Sequence, residues 1–169
     1  MGNEDICVRH ARTADLAQIN DIYNYYVINT PVTFDFEAVR IEERILWFER
    51  YTESGPHQLF VAEAEGRMLG YAGSHAFRTK PAYQTTTEVT VYLAFDATGR
   101  GVGTQLYRAL FDSLVGHDLH RAIAGITLPN EASVALHEHF GFEPAGVMHE
   151  VGRKFDKFWD VAWFEKRLD

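Results

Sequence analysis

Glu88 lies within the run Thr85 to Phe95, which is rich in Thr, Val and Tyr, the residues that favour an extended chain. Alternation along such a strand puts Glu88, Thr90 and Tyr92 on one face and Val89, Val91 and Leu93 on the other. A carboxylate in this setting is either a proton acceptor or a solvated-face residue, and the spacing alone leaves both open. Just downstream, Gly99-Arg100-Gly101-Val102-Gly103 opens a helical pattern. Glycines there let several backbone N–H groups converge at a helix N-terminus, where the dipole also favours an anion. The same turn could instead exist only to supply positive φ. Arg78, Lys80 and Tyr83 occupy a polar connector before the Glu88 strand. Arg78 or Lys80 would receive a substrate carboxylate there, or form an ordinary solvated charge pair. Phe34 and Phe36 sit in a stretch without clear periodicity and read as a ligand wall or as core packing.

Further along, Asn130, Val134 and His137 fall near one face of a helical pattern, whereas His139 points well away from it. Asn130 reads equally as a helix cap. His137-Glu138-His139 lacks the one-face spacing of a two-histidine metal motif, so no metal site is expected.

The elements that must carry these residues follow from periodicity. Ile6, Val8 and His10 predict a first strand. Thr13 offers an N-cap to a helix reaching about Asn29, and a second helix covers about Ile41 to Thr52. Gln58 to Ala64 and Met68 to Phe77 form a hairpin around Glu65-Gly66, and Thr85 to Phe95 is the next strand. A helix from the glycine turn, a strand His120 to Leu128, a helix Asn130 to Phe140 stopped by Gly141, and strands Phe142 to Gly152 and Lys157 to Leu168 complete the chain. The crossover between residues 86 and 128 implies one parallel pair within a mixed α/β sheet flanked by helices.

With 169 residues, 46% hydrophobic and 14% aromatic, the chain is predicted to be one domain over residues 1–169 with a sizeable core. A net charge of −8 argues against nucleic-acid or anionic-membrane partners, which require clustered cations. Cys7 is the only cysteine, and no apolar run is long enough for a membrane span or a secretory leader, so a reduced cytoplasmic setting is expected.

Thr98-Gly99-Arg100-Gly101-Val102-Gly103 resembles the Gln/Arg-x-x-Gly-x-Gly/Ala pyrophosphate loop of the GNAT superfamily, with Thr98 where Gln or Arg is usual. The stretch Asn130 to Phe142 resembles the superfamily's Asn-x-x-Ser/Ala-x-x-Leu/Phe-Tyr-x-x-x-Gly-Phe helix, with His137 at the Tyr position. Thr87-Glu88-Val89-Thr90-Val91-Tyr92, Leu128-Pro129-Asn130 and Trp159-Asp160-Val161 resemble the branch containing phosphinothricin, methionine sulfoximine and methionine sulfone acetyltransferases. The resemblance implies a GNAT-like central mixed sheet of about seven strands with about four helices. It also implies acetyl-CoA as cosubstrate and direct transfer to the α-amine of a small amino-acid-like molecule. Val91, Leu93, Thr98 to Gly103, Thr104 and Asn130 would hold acetyl-CoA, with a backbone N–H near Leu93 on the acetyl oxygen. Glu88 would be the general base and His137 a proton donor to the departing thiolate. Phe34, Phe36, Arg78, Lys80, Tyr83, Thr90 and Tyr92 would surround the substrate. The resemblance also raises a homodimer. The rival readings are a peptide or Lys N-acetyltransferase and a non-catalytic acetyl-CoA-binding module, the latter suggested by Thr98 and by the Tyr-to-His change at 137.

Overall fold

The protein is described over residues 5–169 by a computed structural model. Its elements are β1 (Cys7–His10), α1 (Leu16–Asn29), α2 (Ile41–Phe48), β2 (Leu59–Ala64), β3 (Arg67–Ala76), β4 (Thr86–Leu93), α3 (Val102–Leu114), β5 (Arg121–Thr127), α4 (Glu131–His139), β6 (Glu143–Lys154) and β7 (Lys157–Arg167). The seven strands form one mixed sheet in the order β1-β2-β3-β4-β5-β7-β6, and β4 with β5 is the parallel pair.

Local chemistry explains most of the boundaries. Glu65 and Gly66 both have positive φ, 51° and 76°, which is the backbone twist a tight β2–β3 hairpin needs. Phe155 and Asp156 repeat the device between β6 and β7, with φ of 53° and 55°. Two helix ends differ from the expected ones. A 3₁₀ turn spans Thr13–Asp15, so α1 starts at Leu16, and the Asp15 carboxylate accepts the Arg12 N–H at 2.7 Å. Arg9 donates two further hydrogen bonds to Asp15, at 2.7 and 2.9 Å, and these hold that carboxyl below its ordinary pKa. Helix α2 stops at Phe48, short of Thr52, because the chain then turns to bury Tyr51.

The two faces of β4 serve different layers. Tyr92 packs edge-on to Tyr23 of α1, with ring centroids 5.3 Å apart. Leu93, on the opposite face, approaches α3 at Gly103. Gly70 of β3 lets β4 come this close: a Cβ on Gly70 would lie 2.7 Å from the Tyr92 carbonyl oxygen. Among the described residues, no helix is long and apolar enough to cross a membrane.

Candidate active site

Strands β4 and β5 pair over only three positions, Thr86↔Arg121, Thr87↔Ala122 and Glu88↔Ile123. Beyond Glu88 the two strands part, and β5 continues as a partner of β7 alone. Glu88 therefore stands at the vertex of a splayed pair. Its carboxyl is half-buried, and its pKa is raised because burial disfavours the charged form more than the Arg78 guanidinium favours it. Across the β3 ladder it faces His75, whose own pKa is lowered by burial, so that neighbour stays neutral near pH 7.

Past the vertex, β4 turns unpaired backbone toward the cleft. Ala94 donates to the Leu69 carbonyl at 2.8 Å, which makes Leu93 and Gly70 a non-hydrogen-bonded antiparallel pair. The N–H groups of Leu93 and, two residues earlier, Val91 consequently point away from β3, into the gap left by β5. The Leu93 carbonyl on the same side accepts the Tyr26 hydroxyl at 2.8 Å.

The glycine turn lies between β4 and α3. Gly99 and Gly101 adopt φ of 74° and 75°, and a Cβ on either would meet nothing within 4 Å. The space over the turn is open. The first intrahelical bond runs from Gln105 N to Gly101 O, so the N–H groups at the start of α3 are left for a ligand or water. A pyrophosphate fits such a concavity. Thr98 is exposed and its hydroxyl donates to Phe95 O at 3.3 Å. Arg100 is exposed beside the turn and Thr104 is half-buried on α3. Gly103 has a different task, since a Cβ there would meet Leu136 of α4 at 3.1 Å.

On the α1/α2 face of β4 is a cavity of about 320 Å³ whose walls include Glu88, Thr90 and Tyr92 with Tyr23, Arg44 and Trp47. The structure thus brings three of the expected site residues to one cavity. Other expected residues lie elsewhere. Phe34 packs so tightly on Gly152 that a side chain at 152 would overlap its ring, and Lys154 Nζ donates to the Thr33 carbonyl at 2.7 Å nearby. Phe34 thereby fastens the 30–40 loop to the β6–β7 hairpin, while Phe36 is 72% exposed. Arg78, Lys80 and Tyr83 are on the exposed connector. Arg78 lies over the Phe77 ring at 4.7 Å and still reaches Glu88 electrostatically.

Asn130 caps α4, accepting the Ser133 N–H at 3.2 Å. His137 is buried, outside the walls of the Glu88 cavity. Its Nδ1 meets the Ser133 carbonyl at 2.7 Å and must donate, because a carbonyl only accepts. Nε2 then accepts the buried Tyr107 hydroxyl at 2.8 Å. Burial lowers the imidazole pKa, so the ring is neutral with both nitrogens engaged. Among the described residues, no group of three His, Cys, Asp or Glu side chains gathers as a metal centre requires.

Sequence reasoning missed Arg44, Tyr23, Trp47, Tyr71 and His75, all on the cavity wall. One signal was available for Arg44: it precedes Trp47 by three residues, so a cation occupies the stripe that α2 turns inward.

Residues 8–163 match the family model described as an acetyltransferase (GNAT) domain. The chain is 52% identical to a phosphinothricin N-acetyltransferase of Streptomyces coelicolor, an alignment covering 99% of each protein. It is 36% identical to an L-methionine sulfoximine/L-methionine sulfone acetyltransferase of Pseudomonas aeruginosa, over 96% of this chain and 94% of that one. A GNAT superfamily phosphinothricin acetyltransferase from Sinorhizobium meliloti, solved with acetyl-CoA, superposes with a TM-score of 0.90 at 32% identity, covering 96% and 88% of the two chains.

Proposed function

The chain belongs to the GNAT acetyltransferase family, and from that premise we propose that it acetylates the α-amine of a small amino acid of the methionine sulfone, methionine sulfoximine or phosphinothricin type. It is an acetyl-CoA-dependent N-acetyltransferase. The observation that carries the substrate reading is the aromatic-walled cavity of about 320 Å³ with Glu88 at the strand vertex, a volume that suits a small molecule better than the extended groove a peptide acceptor needs.

Acetyl-CoA supplies an activated acyl carbon and a thiolate leaving group. The turn at Gly99 to Gly103, with the first N–H groups of α3, is suited to its pyrophosphate, and the Leu93 N–H to its acetyl oxygen. An α-ammonium of pKa roughly 8 or above is mostly protonated near neutrality and cannot attack until it loses a proton. Glu88, with its basicity increased by burial, accepts that proton directly or through water. The amine nitrogen then forms its bond to the acyl carbon as the carbon–sulfur bond breaks, and the second proton the nitrogen sheds neutralises the departing thiolate. Arg78, whose charge acts on Glu88, is our candidate to hold the α-carboxylate, a reading its electrostatic reach supports.

A thiol-release assay across free amino acids, methionine sulfone, methionine sulfoximine and phosphinothricin tests the substrate class. Turnover with a peptide N-terminus, and none with any of these, would replace the small-molecule reading. Arg78→Ala is expected to raise KM for the amino acid about tenfold, the effect of losing a partly exposed charge-assisted hydrogen bond, and to leave KM for acetyl-CoA within about twofold. A change confined to acetyl-CoA would move this connector to the cofactor side.

A further inference from the structure

Arg44 is only 3% exposed, yet no carboxylate among the described residues forms an ion pair with it. Its Nε donates to Asn20 Oδ1 at 3.1 Å. The guanidinium carbon lies 4.6 Å from the centroid of the Tyr23 ring and 4.4 Å from that of Trp47. Ring faces partly offset the cost of burying a cation, but they do not use its N–H donors. A guanidinium has five, and the described residues occupy one of them, at Nε. The Tyr51 hydroxyl and Trp163 Nε1 are buried without a partner; the terminal nitrogens of Arg44 are not sealed in that way and can meet an acceptor that arrives from outside. Arg44 is also part of the cavity wall that Glu88 shares, so the remaining donors have a space in which to meet one.

The two cations of this region stand on different elements: Arg78, on the connector before β4, acts on Glu88, while Arg44, on α2, lies against the rings of Tyr23 and Trp47. An amino acid whose amine sits at Glu88 carries its α-carboxylate one carbon away, at the same end. Its side chain runs along the aromatic wall. The one neighbouring acid on that wall, Asp35, already accepts the Tyr23 hydroxyl at 2.6 Å.

Resting on the small-amino-acid reading above, we propose that Arg44 is the specificity residue for the far end of the substrate side chain, where it donates to an oxygen of a sulfone, sulfoximine or phosphinate group. An amino acid of equal length with no acceptor at that end makes no such charge-assisted bond to Arg44 and is discriminated against.

The test compares methionine sulfone with methionine, which differ only in the two sulfone oxygens. For the wild-type protein, kcat/KM for the sulfone is expected to exceed that for methionine by roughly tenfold to a hundredfold, the worth of a charge-assisted hydrogen bond made in a buried site. Arg44→Met should bring that ratio to within about threefold of unity, and Arg44→Lys should keep part of it. Stabilisation by CoA, followed by thermal shift, reports whether each variant is folded. Equal use of both substrates by the wild type overturns the proposal even if no variant folds. A folded Arg44→Met that loses activity on both substrates alike, with the ratio unchanged, also overturns it and reduces Arg44 to a support for Tyr23 and Trp47. Wild-type protein that acetylates no amino acid at all is a separate result, which removes the substrate reading and this inference with it.

Discussion

Glu88→Gln is expected to lower turnover by roughly 10² to 10⁴ at neutral pH, the range for losing a general base. Gln keeps the shape and much of the hydrogen bonding but cannot take a proton. CoA affinity should hardly change, because the glycine turn and the start of α3 lie beyond the far end of β4. The loss should shrink as pH rises, since solution then supplies more of the neutral amine. Burial raises the Glu88 pKa, so in the wild type the acid limb of kcat/KM should fall above the ordinary carboxylate value of about 4.3, with activity lost as pH drops through it. The same shift fixes the sign of the stability effect. A carboxyl whose folded pKa is raised binds its proton more tightly in the folded state, and ionising it at neutral pH costs stability. Glu88→Gln should therefore be at least as stable as the parent. A structural Glu would give the opposite pattern, with a lower Tm and no rescue at high pH. Near-normal turnover at pH 7 would remove Glu88 from the mechanism.

His137→Ala is expected to show its main effect on stability, a loss of about 3 kcal/mol. It removes a buried ring packed against Tyr107 and Phe142, centroids 5.2 and 5.1 Å away, and leaves the Tyr107 hydroxyl buried without its acceptor. For a chain of this length that is a fall in Tm of roughly 6–12 °C. A second signature comes from linkage. Burial depresses the folded-state pKa of His137, so the unfolded chain binds a proton there that the folded chain resists. Stability is then intact above the unfolded value of about 6.5 and declines as pH falls below it. The alanine variant should lack that part of the acid slope. Resemblance to the superfamily points instead to a proton donor, and the two roles separate cleanly. Unchanged Tm with collapsed turnover per folded molecule would assign His137 to the chemistry. A neutral ring whose only N–H is held by the Ser133 carbonyl is poorly prepared for that task.

What was legible in the sequence is local. Alternation fixed the two faces of β4, and with them the common direction of Glu88, Thr90 and Tyr92, because a strand repeats every two residues whatever surrounds it. Positive φ at 99 and 101 and a cap at Asn130 were each among the readings the sequence offered, since each depends on neighbours a few residues away. Element order and family followed from the same short-range signals.

Only the tertiary structure decided what depends on distant segments. The splay after Glu88 exists because β5 follows β7 along its whole length but keeps step with β4 only as far as Ile123, a choice no periodicity records. Phe34 reads from sequence as a ligand wall or as core packing, and only the fold sets its ring against Gly152, far along the chain. Arg44 belongs to a helix that periodicity places at about Ile41 to Thr52. Packing of α2 beside α1 buried it between Tyr23 and Trp47 with Asn20 as its hydrogen-bond acceptor, and burial is what turns a surface cation into a donor that needs a partner. His137 likewise owes its neutral state to burial: sequence can show that a histidine is present, but its proton affinity is set by the dielectric and the partners that folding brings to it.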